Sequence, residues 1–153
     1  MKLYLARHGE ALNGTDDFSR ALSDRGRREV AAVASALREK GVHVEHALHS
    51  GKLRAQQTAE ILADLLMPAT TLDAIAGINP EDDPQAFAET LATLEPDTLV
   101  VGHLPFMGYM VSLLTTGDMR RSPENFEPGT VACLERADHG KWKKLWVIHP
   151  SAI

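Results

Sequence analysis

The chain has 153 residues, of which 44% are hydrophobic and 24% are charged, and this composition excludes a disordered or a collagen-like protein. A chain of this length can bury a sizeable core, and we expect residues 1–153 to form one domain. The net charge of −5 argues against a nucleic-acid-binding protein, because such proteins usually carry a strong basic balance.

The apolar segments are too short for targeting or membrane insertion. The run that follows Met1 is shorter than a signal peptide, and no stretch approaches the roughly 20 apolar residues of a membrane helix. The single cysteine, Cys133, cannot form an internal disulfide, which fits a reducing compartment. We therefore expect a cytoplasmic protein that binds no membrane.

Strand and helix patterns alternate along the first half of the chain. Residues 2–7 predict a short strand that ends at Arg7-His8-Gly9. Residues 24–40 carry apolar side chains at the spacing of one helix face, and Gly41 ends that helix. Residues 42–49 predict a second strand, residues 53–66 a second helix and residues 70–75 a weak strand.

The second half continues the alternation. Pro84 starts a helix predicted over 84–94, and the apolar run over 98–103 predicts a central strand. Pro105 opens a further helix that Gly117 ends, and two closing strands are predicted over 129–136 and 142–148. The order of elements predicts an α/β protein, a three-layer α/β/α sandwich with a mostly parallel central sheet of about five to six strands.

Chemistry-bearing residues follow three of these strands. The segments are Arg7-His8-Gly9, the stretch from Ser50 to Thr58 that contains Arg54, and Gly102-His103. Ligands of open α/β sheets bind at the carboxyl ends of the strands, so parallel neighbours would bring these side chains together. Two guanidinium groups and two imidazoles suit a tetrahedral oxyanion, and a neutral imidazole is also a nucleophile. The pattern predicts a phosphoryl pocket with its own nucleophile.

The three segments resemble the motifs of the histidine phosphatase superfamily. Arg7-His8-Gly9 is similar to its defining motif, Leu53 to Thr58 to its second motif, and Gly102-His103 to its third. The short length, the Gly102-His103-Leu104-Pro105 form and the segment from Arg20 to Gly26 are most similar to the SixA-type phosphohistidine phosphatases. The resemblance runs from residue 1 to about 115, and it implies a phosphoglycerate-mutase-like fold and one catalytic domain over 1–153.

The resemblance also implies a mechanism, that of a metal-independent phosphatase without a cofactor. His8 would form a phosphohistidine enzyme intermediate, and water would then release inorganic phosphate. Arg7, Arg54 and a protonated His103 would hold the phosphoryl oxygens. Arg20 would bind the substrate phosphate, or else would be a surface arginine. The implied substrate is phosphohistidine in a protein such as a phosphorelay domain.

The proton donor for the leaving group is where the chain departs from the superfamily pattern. One branch carries an acid directly after the distal histidine, where this chain has Leu104. Asp73 and Glu10 are the candidate acids. Alternatively, Asp73 is a residue at a strand end without a catalytic role, and Glu10 contacts a helix N-terminus. A missing acid favours a substrate with a good leaving group, such as phosphohistidine.

Three further histidines, His43, His46 and His49, recur at every third position of a predicted strand. Side chains alternate between the faces of a strand, so we expect no triple-histidine metal site. His49 is expected to be a partly exposed histidine, or to border the pocket.

Two other functions stay open. One is a small-molecule phosphomonoesterase of the same superfamily, and the other is a non-catalytic phosphate-binding regulatory module. A chain this short lacks long insertions that would cover a small ligand, which favours an open pocket and a protein substrate. A complete nucleophile site argues against the regulatory module.

Overall fold

A six-stranded sheet organises the computed structural model, which describes residues 1–67 and 71–153. The strands are β1 (Lys2–Arg7), β2 (His46–His49), β3 (Leu72–Ala74), β4 (Thr98–Gly102), β5 (Val131–Arg136) and β6 (Trp142–Ile148). They stand in the order β3-β2-β4-β1-β5-β6. The pairs among β3, β2, β4 and β1 are parallel, and β5 and β6 are antiparallel additions at one side. The predicted, mostly parallel sheet is confirmed.

Helices cover both faces of this sheet. They are α1 (Asp24–Glu39), α2 (Leu53–Leu66), α3 (Pro84–Ala92) and α4 (Phe106–Thr116). The residues of β1 alternate between two cores, since Tyr4 and Ala6 pack with α1 and α2 while Leu3 and Leu5 pack with α3 and α4. This is the predicted three-layer sandwich. None of the helices in the described ranges is long and apolar enough to cross a membrane.

The helix ends follow from local sequence. The Ser23 hydroxyl caps α1 by accepting a hydrogen bond from the Gly26 N–H group (3.0 Å). The Asp83 carboxylate caps α3 by accepting from the Gln85 N–H group (3.0 Å), directly before Pro84. Gly117 ends α4 with φ of +82°, a left-handed conformation that glycine adopts readily.

Strand ends differ from the prediction by one residue at β3 and β4, and the starts of β2 and β5 differ by more. β2 begins at His46 rather than at residue 42, because the Val42 and Val44 N–H groups donate to carbonyl oxygens at the ends of α1 and α2. β5 begins at Val131 rather than at residue 129, because Gly129 has φ of +87° and turns the chain. β3 covers Leu72–Ala74, and residue 70, where its predicted range starts, lies outside the described residues.

The carboxyl ends of β1, β2 and β4 meet at one edge of the sheet. Arg7 is in register with Gly102, and His49 is in register with Val101. The His8 N–H group then donates to the Gly102 carbonyl oxygen at 3.0 Å. The segments that follow these three strands therefore begin next to one another at this edge of the sheet.

Candidate active site

Two imidazole rings lie together at this edge. The ring centroids of His8 and His103 are 5.1 Å apart, and the ring planes are inclined by 53°. His103 is buried and His8 is partly buried. Each ring directly follows a central strand, so the main chain of the sheet sets the distance between them.

A backbone carbonyl orients the ring of His8. Its Nδ1 atom lies 2.7 Å from the Gly9 carbonyl oxygen, and because a carbonyl only accepts, Nδ1 carries the proton. In the neutral ring the lone pair is then on Nε2. Burial, assisted by the charges of Arg54, Arg7 and Arg20, lowers the pKa of His8 to about 4. The ring is therefore neutral at neutral pH, with the Nε2 lone pair free of a proton.

The ring of His103 is held by Ser50. The Ser50 Oγ and His103 Nε2 atoms share a hydrogen bond of 2.7 Å, and His103 Nδ1 is buried with no partner among residues 1–67 and 71–153. Burial, followed by the charges of His8, Arg54 and Lys52, lowers the pKa of His103 to about 3. His103 is therefore neutral at neutral pH in these surroundings, and its protonated form, which was expected with the phosphoryl group bound, stays a prediction. A bound anion would oppose both effects and favour protonation.

The two motif arginines are fixed by different partners. Arg7 Nη1 donates to the Phe126 carbonyl oxygen at 2.9 Å. Arg54 is buried, its Nη1 atom donates to the Asp17 carbonyl oxygen at 2.7 Å, and its Nη2 atom lies 3.1 Å from Asp17 Oδ1. In the described part of the chain, both guanidinium groups keep a buried Nε–H group without a partner. Such a group costs about 1–3 kcal/mol, which a bound oxyanion can relieve.

Arg20 lies at the rim, with its Nε atom donating to the Leu12 carbonyl oxygen at 2.8 Å. Its charge is close enough to lower the pKa of His8. Asp17 and Lys52 are pocket residues that the sequence prediction missed, and their side chains meet at 2.8 Å. Lys52 stands in the quoted second segment, but nothing local distinguishes Asp17 from its neighbour Asp16.

Thr58 joins the first two motifs. Its Oγ1 atom accepts from the Gly9 N–H group at 3.0 Å and donates to the Arg54 carbonyl oxygen at 2.8 Å. Gly9 is required for space, because a Cβ atom there would lie 2.7 Å from Val30 Cγ2 on α1. Thr58 faces inward as predicted, and it ties the loop that carries His8 to the helix that carries Arg54.

The two candidate acids have partners outside the pocket. Glu10 Oε2 accepts from the Ser23 hydroxyl at 2.6 Å, at the N-terminus of α1. Asp73 Oδ2 lies 3.1 Å from His46 Nε2, between β2 and β3. No carboxylate in the two described ranges is hydrogen-bonded to His8 or His103. Apart from the Asp17 carboxylate, which contacts Lys52 and Arg54, the described pocket residues are cations and neutral imidazoles.

His49 corrects a prediction, because it is buried rather than partly exposed. Its Nδ1 atom accepts from the Gly51 N–H group at 3.1 Å and so shapes the turn that carries Ser50. His46 forms a hydrogen bond with the Asp73 carboxylate. Across the part of the chain that the structure describes, no three His, Cys, Asp or Glu side chains form a group that could hold a metal ion.

Comparisons with known proteins agree with this geometry. The family model of the histidine phosphatase superfamily (branch 1) matches residues 3–82. Phosphohistidine phosphatase SixA of Escherichia coli (strain K12) is 29% identical over 155 residues, which cover 98% of this chain and 94% of that protein. A structure of the protein histidine phosphatase SixA complexed with tungstate has a TM-score of 0.91 at 29% identity, over 99% of both chains.

A more distant likeness shows the fold alone. Phosphoserine phosphatase from Entamoeba histolytica, solved in complex with 3-phosphoglyceric acid, has a TM-score of 0.71 at 15% identity, over 95% of both chains. These likenesses confirm the phosphoglycerate-mutase-like architecture. The chain belongs to the histidine phosphatase superfamily.

Proposed function

We propose that this member of the histidine phosphatase superfamily is a metal-independent phosphatase that acts on phosphohistidine in a protein such as a phosphorelay domain. The observation that carries the proposal is the neutral ring of His8, oriented by Gly9 and placed beside His103. The likeness to SixA over nearly the whole chain supports the substrate class. On this proposal residues 1–153 form one catalytic domain, which acts in the cytoplasm.

In the first half-reaction, His8 Nε2 attacks phosphorus in line. A new N–P bond forms as the P–N bond of the substrate breaks, and the electron pair of that bond goes to the leaving imidazole, which takes a proton from solvent. The Gly9 carbonyl holds the Nδ1–H group throughout. The phosphoryl group is then carried by His8, and the substrate histidine is free.

In the second half-reaction, water attacks the phosphorus on His8. The N–P bond breaks, its electron pair returns to Nε2, and inorganic phosphate leaves. Arg7, Arg54 and His103 hold the equatorial oxygens, Arg20 contacts the phosphate from the rim, and the anion favours the protonated form of His103. These side chains supply the charge stabilisation, so the reaction needs neither a metal ion nor a cofactor.

The positions of the two candidate acids also support phosphohistidine as the substrate. An alkoxide is a poor leaving group and needs a proton donor, whereas an imidazole leaves readily. Glu10 and Asp73 are engaged with Ser23 and His46, and this arrangement favours phosphohistidine over a small phosphate ester. A regulatory module that only binds phosphate would not need an oriented nucleophile.

The test is phosphate release from a phosphohistidine-bearing phosphorelay domain in excess EDTA, compared with release from an alkyl phosphate ester such as glycerol 2-phosphate. We expect turnover that survives the chelator, prefers the phosphoprotein, and is lost in His8→Ala. A radiolabelled substrate should leave an acid-labile, base-stable label on the wild type. A preference for the ester would favour the phosphomonoesterase, and phosphate binding without turnover would favour the regulatory module.

A further inference from the structure

Asp17 places a carboxylate among the cations of the pocket. The side chain is 58% exposed, yet Oδ1 lies 3.1 Å from Arg54 Nη2 and 3.5 Å from Arg20 Nη1. Oδ2 lies 2.8 Å from Lys52 Nζ. One carboxylate thus engages three positive groups, of which Arg54 and Arg20 belong to the proposed phosphoryl site.

The main chain holds this carboxylate in place. Asp17 begins a short turn (Asp17–Ser19), which Asp16 caps by accepting from the Phe18 N–H group at 3.2 Å and from the Ser19 hydroxyl at 2.9 Å. The ring of Phe18 lies over Gly51, where an added Cβ atom would be 3.9 Å from two ring atoms. The backbone at Asp17 is therefore fixed by contacts within its own loop.

Asp17 is an anion at every pH at which the reaction would run. The hydrogen bond from Lys52, with the charges of Arg54 and Lys52 and a hydrogen bond from Arg20, lowers the pKa of Asp17 to about 2. A phosphoryl group is also an anion and is attracted to the same side chains. The two anions repel each other and share the hydrogen-bond donors of Arg54.

We propose that the Asp17 carboxylate competes with the phosphoryl group for the same cations. This competition lowers the affinity of the pocket for any free oxyanion. This inference rests on the proposed function and sharpens its substrate class. A small ester or inorganic phosphate has few other atoms with which to bind, whereas a phosphoprotein adds contacts outside the pocket. Asp17 therefore keeps the affinity for small free phosphates low and prevents the product from saturating the site, while a phosphoprotein still binds through its added contacts.

A second role for Asp17 predicts the opposite result. If the carboxylate only positions Arg54, its removal leaves the guanidinium less well placed and weakens phosphate binding. If it competes, its removal strengthens phosphate binding. The sign of the change in affinity therefore separates the two roles.

The experiment is calorimetric titration of inorganic phosphate into the wild type, Asp17→Asn and Glu89→Gln. Asn keeps the shape of the side chain and removes the charge, and Glu89 is an exposed acid of α3 whose substitution changes the net charge equally. We expect Asp17→Asn to bind phosphate about tenfold more tightly, and Glu89→Gln to bind it as the wild type does. In the phosphohistidine assay, the inhibition constant of inorganic phosphate should fall by a similar factor in Asp17→Asn.

Unchanged or weaker phosphate binding by Asp17→Asn overturns the proposal. If that variant does not fold, Asp17→Ser gives the same test, and Asp17→Glu, which keeps the charge, should retain the wild-type affinity. Tighter binding in an enzyme that hydrolyses no phosphohistidine would refute the proposed function and leave the competition standing. Hydrolysis of phosphohistidine with unchanged phosphate affinity would refute the competition alone.

Discussion

Histidines in two regions of the same sheet have opposite surroundings. His8 and His103 follow the neighbouring strands β1 and β4, and cations surround them. His46 lies on β2 beside the short outer strand β3, where its partner is Asp73, and these two side chains are 32% and 49% exposed. The comparison teaches that burial at a strand end and the sign of the neighbouring charges, rather than residue type, determine how far the pKa of a histidine is lowered.

The largest effect is expected when one imidazole ring is removed from each region. We expect His103→Ala to lower kcat/KM for a phosphohistidine protein at least roughly 100-fold, because an oxyanion contact is lost. His46→Ala should leave kcat/KM within about twofold, since an exposed ion pair contributes little. Steady-state kinetics of both variants test this, and a comparable loss in both would show that the two regions are not functionally distinct.

A smaller effect is expected where charge is kept but shape is changed. Arg54→Lys retains a cation but loses the planar fork that contacts Asp17 through two nitrogen atoms. We expect kcat/KM to fall roughly 50-fold, less than for the loss of a whole oxyanion donor. Arg28→Lys, at an exposed position of α1, is the matched control. Wild-type kinetics in Arg54→Lys would mean that positive charge alone suffices.

The pH dependence tests whether the surroundings of His8 lower its pKa. The pKa of His8 is lowered from 6.5 to about 4, so its ring stays neutral as the pH falls through the range in which an ordinary histidine is protonated. The NMR titration of the His8 Hε1 resonance, assigned by its absence in His8→Ala, should therefore have its midpoint near pH 4. The nucleophile is then lost about tenfold per pH unit below this value. A midpoint near 6.5 would contradict the proposed environment.

The smallest effect is expected from the hydrogen bond between Thr58 and the loop that carries His8. Thr58→Val keeps the side-chain shape but leaves the Gly9 N–H group without its acceptor. We expect the free energy of unfolding to fall by about 1–3 kcal/mol, measured by urea denaturation. Thr58→Ser keeps the hydroxyl and serves as the control. Equal stability of the two variants would show that this hydrogen bond does not hold the His8 loop.

Much of the fold could be predicted because its signals are local. The predicted bounds of α2 (53–66) and β6 (142–148) match the structure, since apolar periodicity and turn residues act over a few positions. The start of β2 was not predictable in this way. Val42 and Val44 alternate like strand residues, but their N–H groups bond to the ends of helices, and only the folded chain decides which acceptor is near.

For the candidate site, the sequence by itself determined which residues meet. Arg7, His8, Arg54 and His103 each stand at or soon after a strand end, and parallel strands end at one edge, so order and spacing were enough. The tertiary structure alone decided the lowered pKa values of the two rings, the burial of His49 and the entry of Asp17 among the cations. Desolvation and charge act through space between residues with no fixed separation along the chain, and so no local pattern encodes them.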